Sequence, residues 1–247
     1  MKPFTEDMEA LYFVGCYLSY DPRMKKVATA TANILNKAGV QFGILGDKES
    51  CCGESIRKTG SEEVFKNLAK QNIKTFIDAG VKKIIVSSPH CFHTFKNEYP
   101  EFMVNFEVIH MSQYVLELIN DGRLELTGDY KEKVTFHDPC YLGRHNNVYD
   151  EPRDLLNKVS GLELVEMENF RSNSLCCGGG GGRIWMDTPQ KERFSDIRLE
   201  QAKEAGAKVL ATSCPYCITN FEESRLNLEY EDILEVKDIT EIISEML

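Results

Sequence analysis

The sequence predicts an α/β protein of two pseudo-symmetric Rossmann-like halves, each with a mainly parallel sheet and with cysteine loops at the C-terminal ends of its strands. Three observations predict it. Short apolar runs alternate with longer stretches of helical periodicity, the pattern of strand–helix–strand units. The second half repeats the first at an almost constant offset. The cysteines fall just past the predicted strands, where open parallel sheets gather their ligands.

In the first half, Leu11 to Gly15 reads as a short buried strand with Cys16 at its end. A helix is expected from Met24 to Ala38, carrying Val27, Ala28, Ile34 and Leu35 on one face and stopped by Gly39. Val40 to Leu45 is a second strand running into GDKESCCGESIRKTG, read as a loop because it holds few apolar residues. Ser61 is the expected N-cap, with Glu62 and Glu63 in the first turn, of a helix to Ala79. Lys83 to Ser87 is a third strand, followed by the Cys91 loop. A strand from Phe106 to Ile109 and a helix from Ser112 to Asn120 complete the half.

The order then recurs. Lys133 to His137 is a strand leading into DPCYLGRH with Cys140, Glu151 to Val159 a helix, and Leu162 to Glu166 a strand before the CCGGGGG loop. Thr188 is the expected cap of a helix to Ala205. Lys208 to Thr212 is a strand running into the loop SCPYCITNF, followed by a strand at Ile233 to Val236 and a helix from Thr240. Cys16 matches Cys140 at an offset of 124, Cys51 and Cys52 match Cys176 and Cys177 at 125, and Cys91 matches Cys217 at 126. AGVKKIIVSSPHC lies over AGAKVLATSCPYC. The expected boundaries are 1–124 for a four-cysteine half and 125–247 for a five-cysteine half.

Composition narrows the function. With 42% apolar and 28% charged residues the chain is an ordinary globular one, and its net charge of −10 argues against nucleic acid as a partner. No apolar run approaches the length of about 18 residues that a bilayer span needs, so no direct membrane insertion is expected. The acidic start MKPFTEDMEA does not read as a signal peptide, and a cytoplasmic location is expected. In that compartment clustered thiols more often hold metal or do redox work than form structural disulfides.

Nine cysteines make three groups in each half. The second half has Cys140, then 35 residues, Cys176-Cys177, then 36 residues, and Cys214-x-x-Cys217. Five thiols exceed what one tetrahedral zinc takes, and soft sulfur donors select iron–sulfur clusters, zinc or copper(I). The first half offers Cys16, Cys51, Cys52 and Cys91, with Ser88 in the place of Cys214. Gly178 and Gly179, and Gly53 in the first half, follow the paired cysteines. Having no side chain, they let the backbone approach a bulky group and turn N–H groups toward its sulfur. The glycine run has no GK[ST] and is not a phosphate loop. His90, His93, His137 and His145 flank the cysteines, and hydrogen bonding to backbone or sulfur is favoured over ligation. Arg144 and Arg183 would balance cluster charge, greet an anionic substrate or sit solvated at the surface. Tyr141 and Trp185 read as packing residues.

The paired pattern Cys…CCG…CxxC, with FHDPCYLGRHNNVYDEPRDLL followed by LCCGGGGG, resembles the cysteine-rich CCG domain of heterodisulfide reductases and of related iron–sulfur oxidase subunits, over nearly the whole chain. The resemblance implies an iron–sulfur oxidoreductase subunit. It implies that Cys140, Cys176, Cys177, Cys214 and Cys217 hold a noncubane [4Fe–4S] cluster acting on a disulfide or thiol substrate. Cys16, Cys51, Cys52 and Cys91 would hold a second cluster; with Ser88 in the pattern, a cubane, an incomplete noncubane cluster, zinc or an empty site all stay open. The sequence carries no C-x2-C-x2-C-x3-C-P segment of the ferredoxin type, so electrons are expected from a ferredoxin-type iron–sulfur subunit or a flavoprotein subunit. The alternatives are a pure electron-transfer subunit between a flavin dehydrogenase and a quinone or ferredoxin, and a zinc-stapled scaffold.

Overall fold

The computed structural model describes residues 1–189 and 192–247. Two compact units, Met1–Leu124 and Glu125–Leu247, each carry a four-stranded, all-parallel sheet.

In the first unit β1 (Ala10–Phe13), β2 (Phe42–Gly43), β3 (Lys83–Val86) and β4 (Glu107–His110) lie in the order β2-β1-β3-β4. The central strands read ALYF and KIIV and are almost wholly buried, as strands covered on both faces must be. Register is set by Leu11 opposite Ile84 and Val86 opposite His110. The second unit repeats the order as β6-β5-β7-β8, from β5 (Lys133–Phe136), β6 (Glu163–Val165), β7 (Val209–Thr212) and β8 (Glu235–Asp238). The expected parallel, twofold-repeated α/β architecture is therefore the fold.

The order places the site. The chain leaves β1 for one side of the sheet and returns to β3 on the other, so the loops after these strands diverge and open a crevice. Cys16 follows β1, Cys51-Cys52 follow β2 and Cys91 follows β3. Cys140, Cys176-Cys177 and Cys214–Cys217 follow β5, β6 and β7 in the same way.

The helices are α1 (Cys16–Tyr20), α2 (Met24–Lys37), α3 (Glu54–Lys58), α4 (Glu62–Asp78), α5 (Pro89–His93) and α6 (Met111–Asn120), then α7 (Asp150–Asn157), α8 (Phe194–Glu204), α9 (Pro215–Asn227) and α10 (Ile239–Glu245); of these, α2, α4, α6, α7 and α10 stand where the sequence asked for helix, and α1, α3, α5 and α9 do not. Several expectations are corrected. The second strand shrinks to Phe42–Gly43. Part of the CCGESIRKTG loop is helical, because Glu54 to Lys58 are good helix formers just past a left-handed glycine. SCPYCITNF is no loop: Pro215 opens a 13-residue helix whose buried face includes Ile218 and Phe221. Ser61 precedes α4 without capping it through its side chain. Thr188 is no cap either; α8 starts at Phe194, and Gln190 and Lys191 of the expected span lie outside the described residues.

The repeat reaches single side chains. Phe13 meets Phe95 edge-to-face at 4.7 Å and 88°, and their counterparts His137 and Phe221 meet at 4.8 Å and 84°. The last helix of each unit is capped at the equivalent place. His110 accepts from Ser112 N–H, and Asp238 accepts from Thr240 N–H.

Candidate metal centres

In the first unit the four thiols come from three places. Cys16 opens α1, Cys51 and Cys52 precede α3, and Cys91 lies in the first turn of α5. Cys16 Sγ lies 3.9 Å from Cys51 Sγ, and Cys91 Sγ lies 3.5 Å from Cys52 Sγ. Gly53 has φ +90°, a left-handed conformation, and donates its N–H to Cys51 Sγ at 3.4 Å. A Cβ there would meet the Phe65 ring at 2.8 Å. Glu49 fastens the first loop to the second: its carboxylate accepts Val14 N–H at 3.1 Å and Gly15 N–H at 2.7 Å. Asn72, fully buried on α4, donates to Cys51 O at 2.9 Å, and the Tyr99 hydroxyl donates to Cys52 O at 3.1 Å.

The second unit brings five thiols together. Cys140 donates to Cys176, and Cys177 and Cys217 are hydrogen-bonded to each other. Cys217 also contacts Cys214. Cys214 sits at the N-cap and Cys217 in the first turn of α9, where the positive end of the helix dipole favours thiolate. Gly178, at φ +88°, donates its N–H to Cys176 Sγ at 3.3 Å, as Gly53 does to Cys51. Gly179 lies against Asn220, whose amide donates to Cys177 O at 3.1 Å. A ring nitrogen of His137 lies within 4.8 Å of the Cys177 and Cys217 sulfurs.

Protons are shared unequally among these sulfurs. Thiol donation from Cys16, then from Cys52, pulls Cys51 down to about 3, with the Gly53 N–H adding to it. Donation from Cys140, then from Cys177, pulls Cys176 down to about 2, with the Gly178 N–H adding. Cys16 and Cys140 are pushed up by donating those bonds and then by burial. Cys52 and Cys177 are pushed up by their bonds to Cys51 and Cys176, and Cys217 chiefly by burial. Crowded sulfurs cannot all ionise without a counter-cation. Metal would therefore displace protons from both groups of thiols.

The polar groups nearby have definite tasks. Arg144 donates to Ser174 O at 2.6 Å and so ties the Cys140 loop to the CCG loop. His90 Nδ1 lies 3.0 Å from Glu54 Oε2, both groups buried, and His93 Nε2 lies 3.6 Å from Glu98 Oε1. His145 stacks on Tyr141 at 4.7 Å. Trp185 is not a core packing residue: it is 64% exposed, with its ring against Tyr216. It lines a cavity of about 360 Å³ that reaches Cys177 and Gly178, together with Arg183, Met186, Phe194 and Asn220.

Sequence reasoning missed Glu49 and Asn72, which hold the loops of the first unit, and Asp138, Arg153 and Arg198, which hold loops and His137 in the second. Asp138 stands in the DPC motif, a weak signal. Arg198 lies mid-helix with nothing local to distinguish it from a solvated charge.

The duplicated parallel sheet with thiols at both switch points defines a class, the twofold cysteine-rich α/β proteins. Within it, this chain belongs to the CCG cysteine-rich domain family, whose sequence model matches residues 10–96 and 134–222. It is 42% identical to a probable iron-sulfur-binding oxidoreductase, FadF, of Bacillus subtilis (strain 168), over 99% of this chain and 35% of the relative. It is 40% identical to the EtfAB:quinone oxidoreductase of Syntrophomonas wolfei, over 96% of this chain and 34% of that one. It is 33% identical to one of the subunits of the dihydromethanophenazine:CoB–CoM heterodisulfide reductase of Methanosarcina barkeri, over 97% of this chain and 59% of that relative. The chain thus spans about a third of the first two relatives and less than two thirds of the third. Among the described residues, no helix is long and apolar enough to cross a membrane.

Proposed function

We propose that this chain is the cluster-bearing part of an iron–sulfur oxidoreductase. Cys140, Cys176, Cys177, Cys214 and Cys217 hold a noncubane [4Fe–4S] cluster, and Cys16, Cys51, Cys52 and Cys91 hold a second cluster or zinc. The observation that carries the reading is the meeting of five sulfurs from three loops, more donors than a single tetrahedral ion accepts. The donor set fits such a group: soft sulfur throughout, largely buried, with the Gly178 N–H already turned to sulfur. A bound cluster would supply one-electron chemistry at this edge of the sheet. The chain's own residues position it. Gly53 and Gly178 donate N–H hydrogen bonds to Cys51 and Cys176 sulfur, while Glu49, Asn72, Asn220 and Arg144 hold the loops in register.

The cavity beside Cys177, walled by Trp185 and Phe194 and rimmed by Arg183, supports a disulfide or thiol substrate reaching the second centre. The likeness to an EtfAB:quinone oxidoreductase favours a second reading, electron passage between a flavoprotein and a quinone or ferredoxin without a substrate of its own. Either reading calls for a ferredoxin-type iron–sulfur partner or a flavoprotein.

Anaerobic purification tests the proposal. Several iron atoms and sulfides per chain, with an iron–sulfur paramagnetic signal on oxidation or reduction, are expected; a colourless chain holding only zinc overturns it. A new paramagnetic signal on adding a thiol to the oxidised protein separates the substrate reading from pure electron transfer.

A further inference from the structure

His137 stands at the end of β5 and is fully buried. Its Nδ1 receives a hydrogen bond from Arg198 Nε at 3.3 Å. A guanidinium N–H only donates, so Nδ1 must be the bare nitrogen, and in the neutral ring the proton then sits on Nε2. Among the described residues Nε2 has no hydrogen-bond partner, although the atom is buried. The ring lies by the sulfurs of Cys177 and Cys217. Ligation of a metal through Nε2 would need its lone pair and would place a proton on Nδ1, opposite the Arg198 N–H. Two donors would then face each other in a buried place. Arg198 is itself anchored through Nη1, by Asn169 O at 2.7 Å and Gln201 Oε1 at 2.5 Å, so it cannot easily turn away.

The first unit provides the comparison. The position of His137 is there taken by Phe13, packed on Phe95 as His137 is on Phe221. The position of Arg198 is taken by Asn72, which donates to Cys51 O and Tyr99 Oη. The ring shape is common to both halves. The polar nitrogen and its guanidinium belong to the five-cysteine half alone.

We propose that His137 is a hydrogen-bond donor, through Nε2, to the sulfur of the second centre, and that Arg198 is the positioning residue that fixes this tautomer. The inference deepens the proposed function and rests on metal being held at Cys177 and Cys217. A donor to sulfur stabilises the more negative, reduced state of a thiolate-bound centre, so it raises the reduction potential.

Two measurements test it. In the anaerobically loaded protein, His137→Phe keeps the first unit's packing. It is expected to retain iron and sulfide but to move the midpoint of the second centre to lower potential. His137→Gln, whose amide nitrogen reaches toward the place of Nε2, is expected to restore part of the shift. Loss of iron in both variants would make His137 a ligand and overturn the proposal; full iron with an unmoved midpoint in His137→Phe would reduce it to packing and overturn it equally. The second measurement is the pair of 15N shifts of His137 in wild type and Arg198→Met. Protonated Nε2 and bare Nδ1 are expected in wild type, with a mixed or reversed pattern in the variant; a protonated Nδ1 in wild type sinks the assignment. If wild type takes up no iron and sulfide, the proposed function fails, and the nitrogen shifts, read on the same metal-free chain, still decide the tautomer.

Discussion

Arg153 and Asp138 form a buried two-pronged ion pair in the second unit, with Nη1 2.7 Å from Oδ1 and Nη2 2.9 Å from Oδ2. Arg153 reaches out from α7, and Asp138 stands two residues before Cys140. The same carboxylate accepts the Arg171 N–H at 2.7 Å, and Arg153 Nε donates to Glu166 at 2.6 Å. The network thereby joins the Cys140 loop to the segment leading to Cys176.

Removing one partner of such a pair strands the other charge away from water. Arg153→Leu is expected to cost about 3–5 kcal/mol in chemical unfolding, and Arg153→Leu with Asp138→Asn to cost less than the single change. If the double variant is as unstable as the sum of the two single ones, the pair does not act as a unit.

Glu49 plays the tying role in the first unit, at the cost of a buried carboxylate. Burial raises its pKa from 4.5 to about 7, against the lowering effect of the Gly15 and Val14 N–H groups. Between those values the folded chain binds more protons than the unfolded one, so stability falls as pH rises. The stability of wild type minus that of Glu49→Gln is expected to drop by on the order of 3 kcal/mol from below pH 4.5 to above pH 7. A difference that is flat, or that grows with pH, contradicts the assignment.

Gly53 and Gly178 share a left-handed conformation but not the same surroundings. An added Cβ at Gly53 runs into the Phe65 ring at 2.8 Å, whereas at Gly178 its nearest neighbour is Phe194 Cβ at 3.7 Å. Both alanine variants carry backbone strain of about 1–3 kcal/mol. Gly53→Ala is expected to be the more destabilising of the two. Thermal unfolding of the pair decides; equal losses would mean that the ring gives way freely.

Ser88 and Cys214 both stand at the N-cap of a helix that opens with proline. Ser88→Cys therefore offers the first unit a fifth sulfur. In a Cys140→Ser, Cys177→Ser background that disables the second site, the first site is expected to take up more iron and sulfide per chain than with serine. Unchanged stoichiometry would show that position 88 does not face the first centre.

The alternation of strands and helices, the duplication and the three cysteine groups of each half were legible in the sequence. Each is a local or periodic property: burial on both faces selects the apolar runs, helix spacing the rest, and the repeat doubles every signal. Gly53 and Gly178, directly after the cysteine pairs, were legible for the same reason, since only glycine adopts their left-handed backbone angles cheaply. The helix at Pro215 was hidden because its cysteines and polar residues obscured the apolar face that the core supplies. Tertiary structure alone decided which carboxylates and cations hold the loops. Glu49 to Gly15, Arg153 to Asp138 and Arg198 to His137 join residues distant in the chain, and their strength comes from burial that no local pattern encodes. The sequence by itself determined which atoms could grip a metal; folding at the strand ends decided which of them meet, and that the ring of His137 lies beside them.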